Sequence, residues 1–523
     1  MNPSQLQLDI YDFVWNKKGN AVIEAVAGSG KTTTIVNAIS KIKGISRLKI
    51  VFVAFNKHIS TELKGRLPAK VRSSTLHGIG LSWIIKHQGG DTPKFDQYGL
   101  GPKKILAEII DSEIGPDFNG SNISHERRKE EMLEHCRTLN DLVKLCKLKL
   151  TTTKHGIEAT AAEHGFIDLT DQDFTRIELY FKRVLKTPDL SFITFEDMIF
   201  FPAMGIVPVT KYDYVFVDEC QDLNKAQQAC VDRMLKEAGR FIAVGDPNQA
   251  IYGFAGADSS SFEALKAKPN TTLLRLNECF RCGKEIVRFA RSIVPDIRAW
   301  HKSADGIVRY GSYKEVTSKD YVLCRVNAPL VSLCLDYIRE GKSAKIRGSK
   351  IGVDLVNLVK SQNIEGRQEL LQRLDQQLDN LRKSLIRSGL NEGDINNNAR
   401  YVQLDEQVLT IKVIAERCAT ASEIINRVDK IFGKSSEGIT LSSIHKAKGL
   451  EADRVFILGD ALMPMSKATT DTEKQQENNL IYVAYTRAKR ELIFINDYTE
   501  EYLTTKVNLQ KSERLEDFLG ASS

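Results

Sequence analysis

Ala25–Thr32 reads AVAGSGKT, overlapping the end of an apolar run, Val22–Val26, and leading into a predicted helix over Thr33–Ile42. Glycines at 28 and 30 let backbone N–H groups turn inward around phosphate oxygens. Ala27, Gly28, Ser29 and Gly30 therefore form a candidate cradle for a nucleotide such as ATP. Lys31 is placed to reach the β- and γ-phosphates and the Thr32 hydroxyl to ligate Mg²⁺, with Thr33 beside it. The strict phosphate-loop pattern has Gly where Ala25 stands. The strand–loop–helix context is what separates this stretch from a chance match.

A second strand ends in carboxylates. Tyr214–Asp222 reads YVFVDECQD, which suits metal-dependent phosphoryl transfer: Asp218 holds Mg²⁺ and Glu219 polarises the attacking water. By itself such a pair is as readily an acidic strand end. A third run, Phe241–Val244, leads into GDPNQAIYGFAGA, where the Gln249 amide can sense the γ-phosphate. Three strands ending in phosphate-competent groups point together to a nucleotide-hydrolysing site.

These groups need elements to hold them. Further β-rich apolar runs occur at Ile50–Val53, Val215–Val217, Leu273–Leu276, Tyr321–Cys324, Ile439–Leu441, Val455–Leu458 and Leu492–Ile495. Separated by helical stretches, they predict parallel sheets in α/β domains. The runs cluster in 20–80, 212–276, 320–347 and 439–496. Between the first two clusters, about 86–195 reads as helical, including Glu126–Leu150. Between the last two, about 349–435 carries Leu371, Leu374, Leu378, Leu381 and Leu385 at alternating spacings of three and four, read as a core face. Thr420 with Glu423 predicts a capping box. The polar end, about 506–523, predicts fraying. Two α/β domains, each with a mainly helical insertion, follow from this distribution.

The chain has 523 residues, too many for one core. Its start lacks a basic stretch followed by an apolar run, and no segment approaches the ~20 apolar residues that span a bilayer. A cytoplasmic location without membrane contact is expected. A net charge of +7 suits a nucleic-acid partner but is weak evidence. Cys279 and Cys282 form a CxxC with no second pair at zinc spacing, so they read as ordinary buried thiols.

The blocks above, with others, closely resemble the UvrD/Rep family of superfamily 1 helicases over nearly the whole chain. Asn2–Gln5 (NPSQ) resembles the adenine-reading motif, with Gln5 as reader. Val53–His58 (VAFNKH) and Ser74–Gly78 (STLHG) resemble DNA-contacting motifs. Leu276–Arg281 (LNECFR) resembles the block with an adenine-stacking aromatic, Phe280, and a γ-phosphate arginine, Arg281. Ile444–Glu451 (IHKAKGLE) resembles the motif linking DNA to nucleotide, with Glu451 on the ribose side. Tyr482–Lys489 (YVAYTRAK) resembles the last motif, with Arg487 as arginine finger. Phe254 and Ala255 stand where the family commonly carries Trp and Arg, so a basic contact is lost.

The resemblance implies two RecA-like parallel-sheet domains: an ATP-binding domain (1–85 and 196–277) with insertion 86–195, and a second domain (278–348 and 436–505) with a short helical insertion, 349–435, and a tail, 506–523. It implies ATP and Mg²⁺ as cofactors, and single-stranded and tailed duplex DNA as partners. Phe55, Asn56, Lys57, His77, Tyr252, Phe254, His445 and Lys446 are the candidate DNA contacts, by stacking and by charge. Ala447, Lys448 and Gly449 resemble the 3′→5′ subclass. An alternative is a DNA-stimulated ATPase subunit that works with a protein partner such as a nuclease and unwinds little alone. A nuclease fusion is not expected, because the residues after Lys489 are too few for that domain.

Overall fold

The structure, a computed structural model, describes residues 3–113, 125–166, 169–251, 261–387, 390–391, 393, 395, 398–433, 438–465, 468, 470–498 and 513–520. The chain forms two compact units. One comprises Met1–Ala25, Lys31–Pro247 and Tyr252–Leu276, the other Val26–Gly30, Asn248–Ile251 and Asn277–Ser523.

The first unit contains β1 (Asn20–Ala25), β2 (Ile50–Val53), β3 (Arg72–Ser74), β4 (Lys94–Phe95), β5 (Phe192–Ile193), β6 (Tyr212–Val217), β7 (Leu235–Gly245) and β8 (Thr271–Leu276). Six of them form a parallel sheet in the order β3-β2-β6-β7-β1-β8. Its central strands are apolar on both faces because both faces are covered. Val22, Val51, Val53, Val215 and Val217 pack on one side, with Trp83, Phe181 and Phe200 from helices. Ala21, Ile23, Ile50, Phe52 and Phe216 pack on the other, with Ile10, Val14 and Ile35. The short β4–β5 ladder joins the two ends of the helical insertion, whose long helix spans His125–Lys149. Lys147, buried near the end of that helix, pairs with buried Asp197 at 2.7 Å.

The second unit adds β9 (Glu278–Cys279), β10 (Arg298–Ala299), β11 (Ile307–Gly311), β12 (Tyr321–Cys324), β13 (Ala344–Arg347), β14 (Ile439–Ser443), β15 (Ala452–Ile457) and β16 (Ala488–Ile495). Its six-stranded parallel sheet runs β11-β16-β15-β12-β14-β13. Helices Ser349–Ser361, Arg367–Arg387, Ala399–Ala415 and Ala421–Phe432 lie in its insertion. The two sheets make this an α/β protein of two parallel-sheet domains. No helix among the described residues is long and apolar enough to cross a membrane.

Three strands of the two six-stranded sheets carried no apolar run: β3, β11 and β13. All are sheet edges, where one flank needs no apolar cover. In the leucine seam only Leu374 and Leu385 are fully buried, while Leu371, Leu378 and Leu381 are half-buried. Thr420 caps its helix by accepting from the Glu423 N–H, but the Glu423 carboxylate accepts from Ala419 N rather than closing the box. The polar C-terminus does not simply fray: Glu513–Gly520 is a helix with Leu515 buried and Phe518 edge-on to Phe289.

Candidate nucleotide site and strand-contact residues

In a parallel α/β sheet ligands gather beyond the carboxyl ends of the strands. Lys31 begins the helix Lys31–Ser40 just past β1. Asp218 and Glu219 follow β6, and Asp246 follows β7, the strand that lies between β6 and β1.

The contacts here are short. The Thr32 hydroxyl donates to Asp218 Oδ2 at 2.9 Å, and Lys31 Nζ lies 3.1 Å from Glu219 Oε1. Burial, together with the Glu219 charge, pushes the Asp218 carboxyl up to about 6. Burial also works against the Lys31 ammonium, but Glu219, Asp246 and Asp218 outweigh it and raise its pKa. A buried carboxylate crowded by another is a place where a cation relieves charge. A hydroxyl with a carboxylate offers the hard oxygen ligands Mg²⁺ takes, so Thr32 and Asp218 could hold it.

Glu219 adopts a left-handed backbone, φ +50°. For a non-glycine residue that costs about 1–3 kcal/mol and persists only where its surroundings enforce it. Gln221 supplies one constraint. Its amide nitrogen donates to Glu219 Oε2 at 2.6 Å, and its oxygen accepts from Asp246 N at 3.0 Å. A Cβ at Gly245 would sit 2.4 Å from that oxygen, so only glycine leaves room for it.

A second set of predicted residues meets within the other compact unit. Arg281 Nε lies 2.7 Å from Glu451 Oε2 and Lys489 Nζ 2.6 Å from Glu451 Oε1. Burial alone would raise the Glu451 pKa, but these two cations hold it below its ordinary value. Arg487 is only 2% exposed; Nε donates to Val483 O at 2.9 Å, and Nη2 lies 3.5 Å from Gln249 Oε1. Lys448 Nζ donates to Gln249 O at 2.7 Å. The loop residues 26–30 group with this set. Ala27 N donates to the Tyr482 hydroxyl at 2.9 Å and Phe280 N to Gly28 O at 2.9 Å. Gly28 has φ +67°, and a Cβ there would meet Arg281 Cβ at 2.6 Å. The Ser29 hydroxyl is buried. Trp300 packs against Phe280 with centroids 5.6 Å apart.

Other predicted residues are placed elsewhere. Gln5 is exposed and donates to Asp9, whereas Gln7 donates to Thr34 of the helix after the phosphate loop. Thr33 is exposed and accepts from Arg66. Phe55, Asn56 and Lys57 follow β2 and are exposed; Asn56 also caps the helix Lys57–Lys64. His77 follows β3, beside β2, and stacks on exposed Phe195 with centroids 3.8 Å apart. Close crossing of two helices sets this pair: a Cβ at Gly80 would lie 1.8 Å from Met198 O. Burial pulls the His77 ring down to about 4 and His445 to about 3, so both are neutral near pH 7. Lys446 is exposed. Tyr252 and Phe254 lie outside the described residues.

Sequence reasoning missed Gln221, Asp246, Phe195, Trp300 and Tyr482. Gln221, Asp246 and Tyr482 stood inside quoted blocks, but neither their types nor their spacing named a partner. Phe195 and Trp300 carried no motif at all.

Residues 6–270, more than half the chain, match the UvrD/REP helicase N-terminal domain, and residues 356–499 match the UvrD-like helicase C-terminal domain. The chain is 24% identical to F-box DNA helicase protein 1 of Schizosaccharomyces pombe over 92% of its own length and 56% of that protein's. It is 22% identical to ATP-dependent DNA helicase UvrD2 of Mycobacterium tuberculosis, covering 90% of this chain and 76% of the relative. With ATP-dependent DNA helicase PcrA of Staphylococcus epidermidis the identity is 24%, over 93% and 82%. The chain thus spans little more than half of the fission-yeast relative. With both parts of the family matched in order along it, the chain belongs to the UvrD/REP helicase family.

Proposed function

We propose that the protein is an ATP-driven motor that moves 3′→5′ along single-stranded DNA and unwinds tailed duplexes. The observation that carries this is the cluster at the strand ends of one parallel sheet, where Lys31, after β1, meets Glu219, after β6, and Thr32 meets buried Asp218. In this reading the loop 27–30 and Lys31 bind the phosphates of ATP. Glu219, held by Gln221, accepts a proton from the attacking water as it adds to the γ-phosphorus. Thr32 and Asp218 would hold Mg²⁺, which when bound neutralises charge on the phosphates.

Arg281, Arg487 and Gln249 then sense the γ-phosphate, while Phe280, backed by Trp300, stacks on adenine, Gln5 reads its edge and Glu451 faces the ribose. ATP binding draws the two α/β units together and hydrolysis releases them, each cycle advancing the strand. Phe55, Lys57, His77 with Phe195, His445 and Lys446 contact that strand, the rings by stacking and the lysines at phosphates. Support comes from the family match and from the names of the relatives.

The test is ATP hydrolysis without nucleic acid, with poly-dT, with matching RNA and with blunt duplex, followed by unwinding of 3′- and 5′-tailed duplexes. Stimulation by poly-dT and unwinding only from a 3′ tail are expected. Equal stimulation by RNA, or unwinding only from a 5′ tail, would overturn the substrate or the direction.

A further inference from the structure

Cys279 and Cys282 have no role in the chemistry above, yet they enclose Phe280 and Arg281 in the chain. Both are buried free thiols. The Cys282 N–H points at Cys279 Sγ, 3.5 Å away, a turn that brings the two side chains together. Cys282 Sγ lies 3.7 Å from Thr486 O, the same carbonyl that accepts from Arg281 Nη1 at 3.2 Å. Thr486 directly precedes Arg487. On the other side Cys279 abuts the phosphate loop: a Cβ on Gly28 would be 3.0 Å from its sulfur. The pair therefore lies between the phosphate loop at Gly28 and the Thr486 carbonyl that precedes Arg487.

We propose that Cys279 and Cys282 form a modification site, closed to a disulfide by a hydroperoxide such as hydrogen peroxide and reopened by thiols, and that closure stops ATP turnover. The inference rests on the nucleotide-site reading for its consequence, not for its chemistry. The Cys279 thiolate attacks one peroxide oxygen; the O–O bond breaks, leaving a sulfenic acid and, with the thiol's proton, one water. The Cys282 sulfur then attacks the sulfenic sulfur, forming S–S and breaking S–O, and its proton leaves with the hydroxide as the second water. Two thiols are oxidised and one peroxide is reduced.

The environment divides the roles. Hydrogen bonds from the Cys282 thiol, and from the Cys282 and Arg281 N–H groups, prevail over burial and bring the Cys279 thiol down to about 7. Cys282 is pushed well above its ordinary value, first by that same hydrogen bond and then by burial, as suits the resolving partner. Burial alone pushes Cys334 up to about 12, and chiefly burial does the same for Cys230 and Cys324; such thiols are inert. The disulfide tightens the turn that carries Arg281 and draws Cys282 Sγ from Thr486 O, the carbonyl that also accepts from Arg281, so the arginine leaves its place.

The experiment treats the full chain with hydrogen peroxide, removes the excess with catalase, and divides the sample. One part is alkylated and peptide-mapped; the other is assayed for poly-dT-stimulated ATP hydrolysis before and after dithiothreitol. The peptide spanning both cysteines should lose two hydrogens, and turnover should fall about tenfold or more, as when a reacting group is misplaced, then recover. Cys282→Ser, or Cys282→Ala if the first does not fold, should give neither the disulfide nor the recoverable loss. Alkylatable Cys279 and Cys282 after peroxide treatment would overturn the proposal, as would a mapped disulfide with full turnover. A reduced protein without any ATP hydrolysis would instead fault the nucleotide-site reading, because the peptide map is read independently of activity.

Discussion

Gln221 holds Glu219 by a 2.6 Å hydrogen bond while its own oxygen accepts from Asp246 N, so the end of β7 braces the carboxylate at the end of β6. The left-handed backbone at Glu219 is thereby kept in place. A residue held at such a cost is one whose orientation matters. Glu219→Gln should keep ATP binding, since Lys31 and the loop remain, but lose the proton acceptor. Turnover should fall by about 100- to 10,000-fold. Steady-state kcat beside a fluorescent-nucleotide Kd checks this; a normal kcat would remove Glu219 from the chemistry.

Much of the arrangement was legible in the sequence for a physical reason. Central parallel strands must be apolar on both faces, so β2 and β12 show as unbroken runs, Ile50–Val53 and Tyr321–Cys324. Phosphate chemistry needs glycines, Lys31 and carboxylates at strand ends, and those residue types are rare enough together to be seen. Edge strands such as β3 (RSS) are short and polar, with nothing to distinguish them from loop. Partners joined across long sequence separations, such as Phe195 on His77 or Trp300 on Phe280, leave no periodic trace. Gln7 shows the local limit: two residues beyond Gln5, it makes the bond to Thr34.

Arg487 gives a second prediction. Its guanidinium is buried and donates to the Val483 and Leu450 carbonyls as well as reaching Gln249. An arginine so held is pre-aimed rather than free to search. Arg487→Ala should reduce kcat about 1,000-fold or more, the size of an arginine-finger effect. Arg487→Lys should not restore it, because a lysine cannot span the same carbonyls and a phosphate. Single-strand binding without nucleotide, measured by fluorescence anisotropy, should survive in both.

The ion pair of Lys147 and Asp197 tests the helical insertion of the first unit. Both side chains are buried, and Asp197 also accepts from the Thr194 N–H and hydroxyl. Removing one partner strands the other charge: Lys147→Ala should cost about 3–5 kcal/mol in urea unfolding. The double variant Lys147→Met with Asp197→Leu should be less destabilised than Lys147→Ala. A double variant worse than the single would mean the pair itself, not the stranded charge, carries the stability.

A pH dependence follows from two histidines. Burial holds His77 near 4; burial first, then Arg325 and Lys446, hold His445 near 3. The unfolded chain protonates both near 6.5. Between those values the unfolded state binds more protons than the folded one, so stability declines as pH falls below about 6.5, down to the folded pKa values. Above that range neither ring contributes any pH dependence. Urea midpoints for wild type should therefore drop from pH 7.5 to pH 5, and His77→Gln should lessen the drop without altering the slope above pH 7. The same neutrality bears on the strand: His77, stacked on Phe195, offers a ring face rather than a cation. Its replacement by Gln should weaken poly-dT binding while leaving the salt dependence of binding unchanged, since no phosphate charge is neutralised there. A shallower salt slope in His77→Gln would show that the ring binds as a cation and would overturn the stacking role.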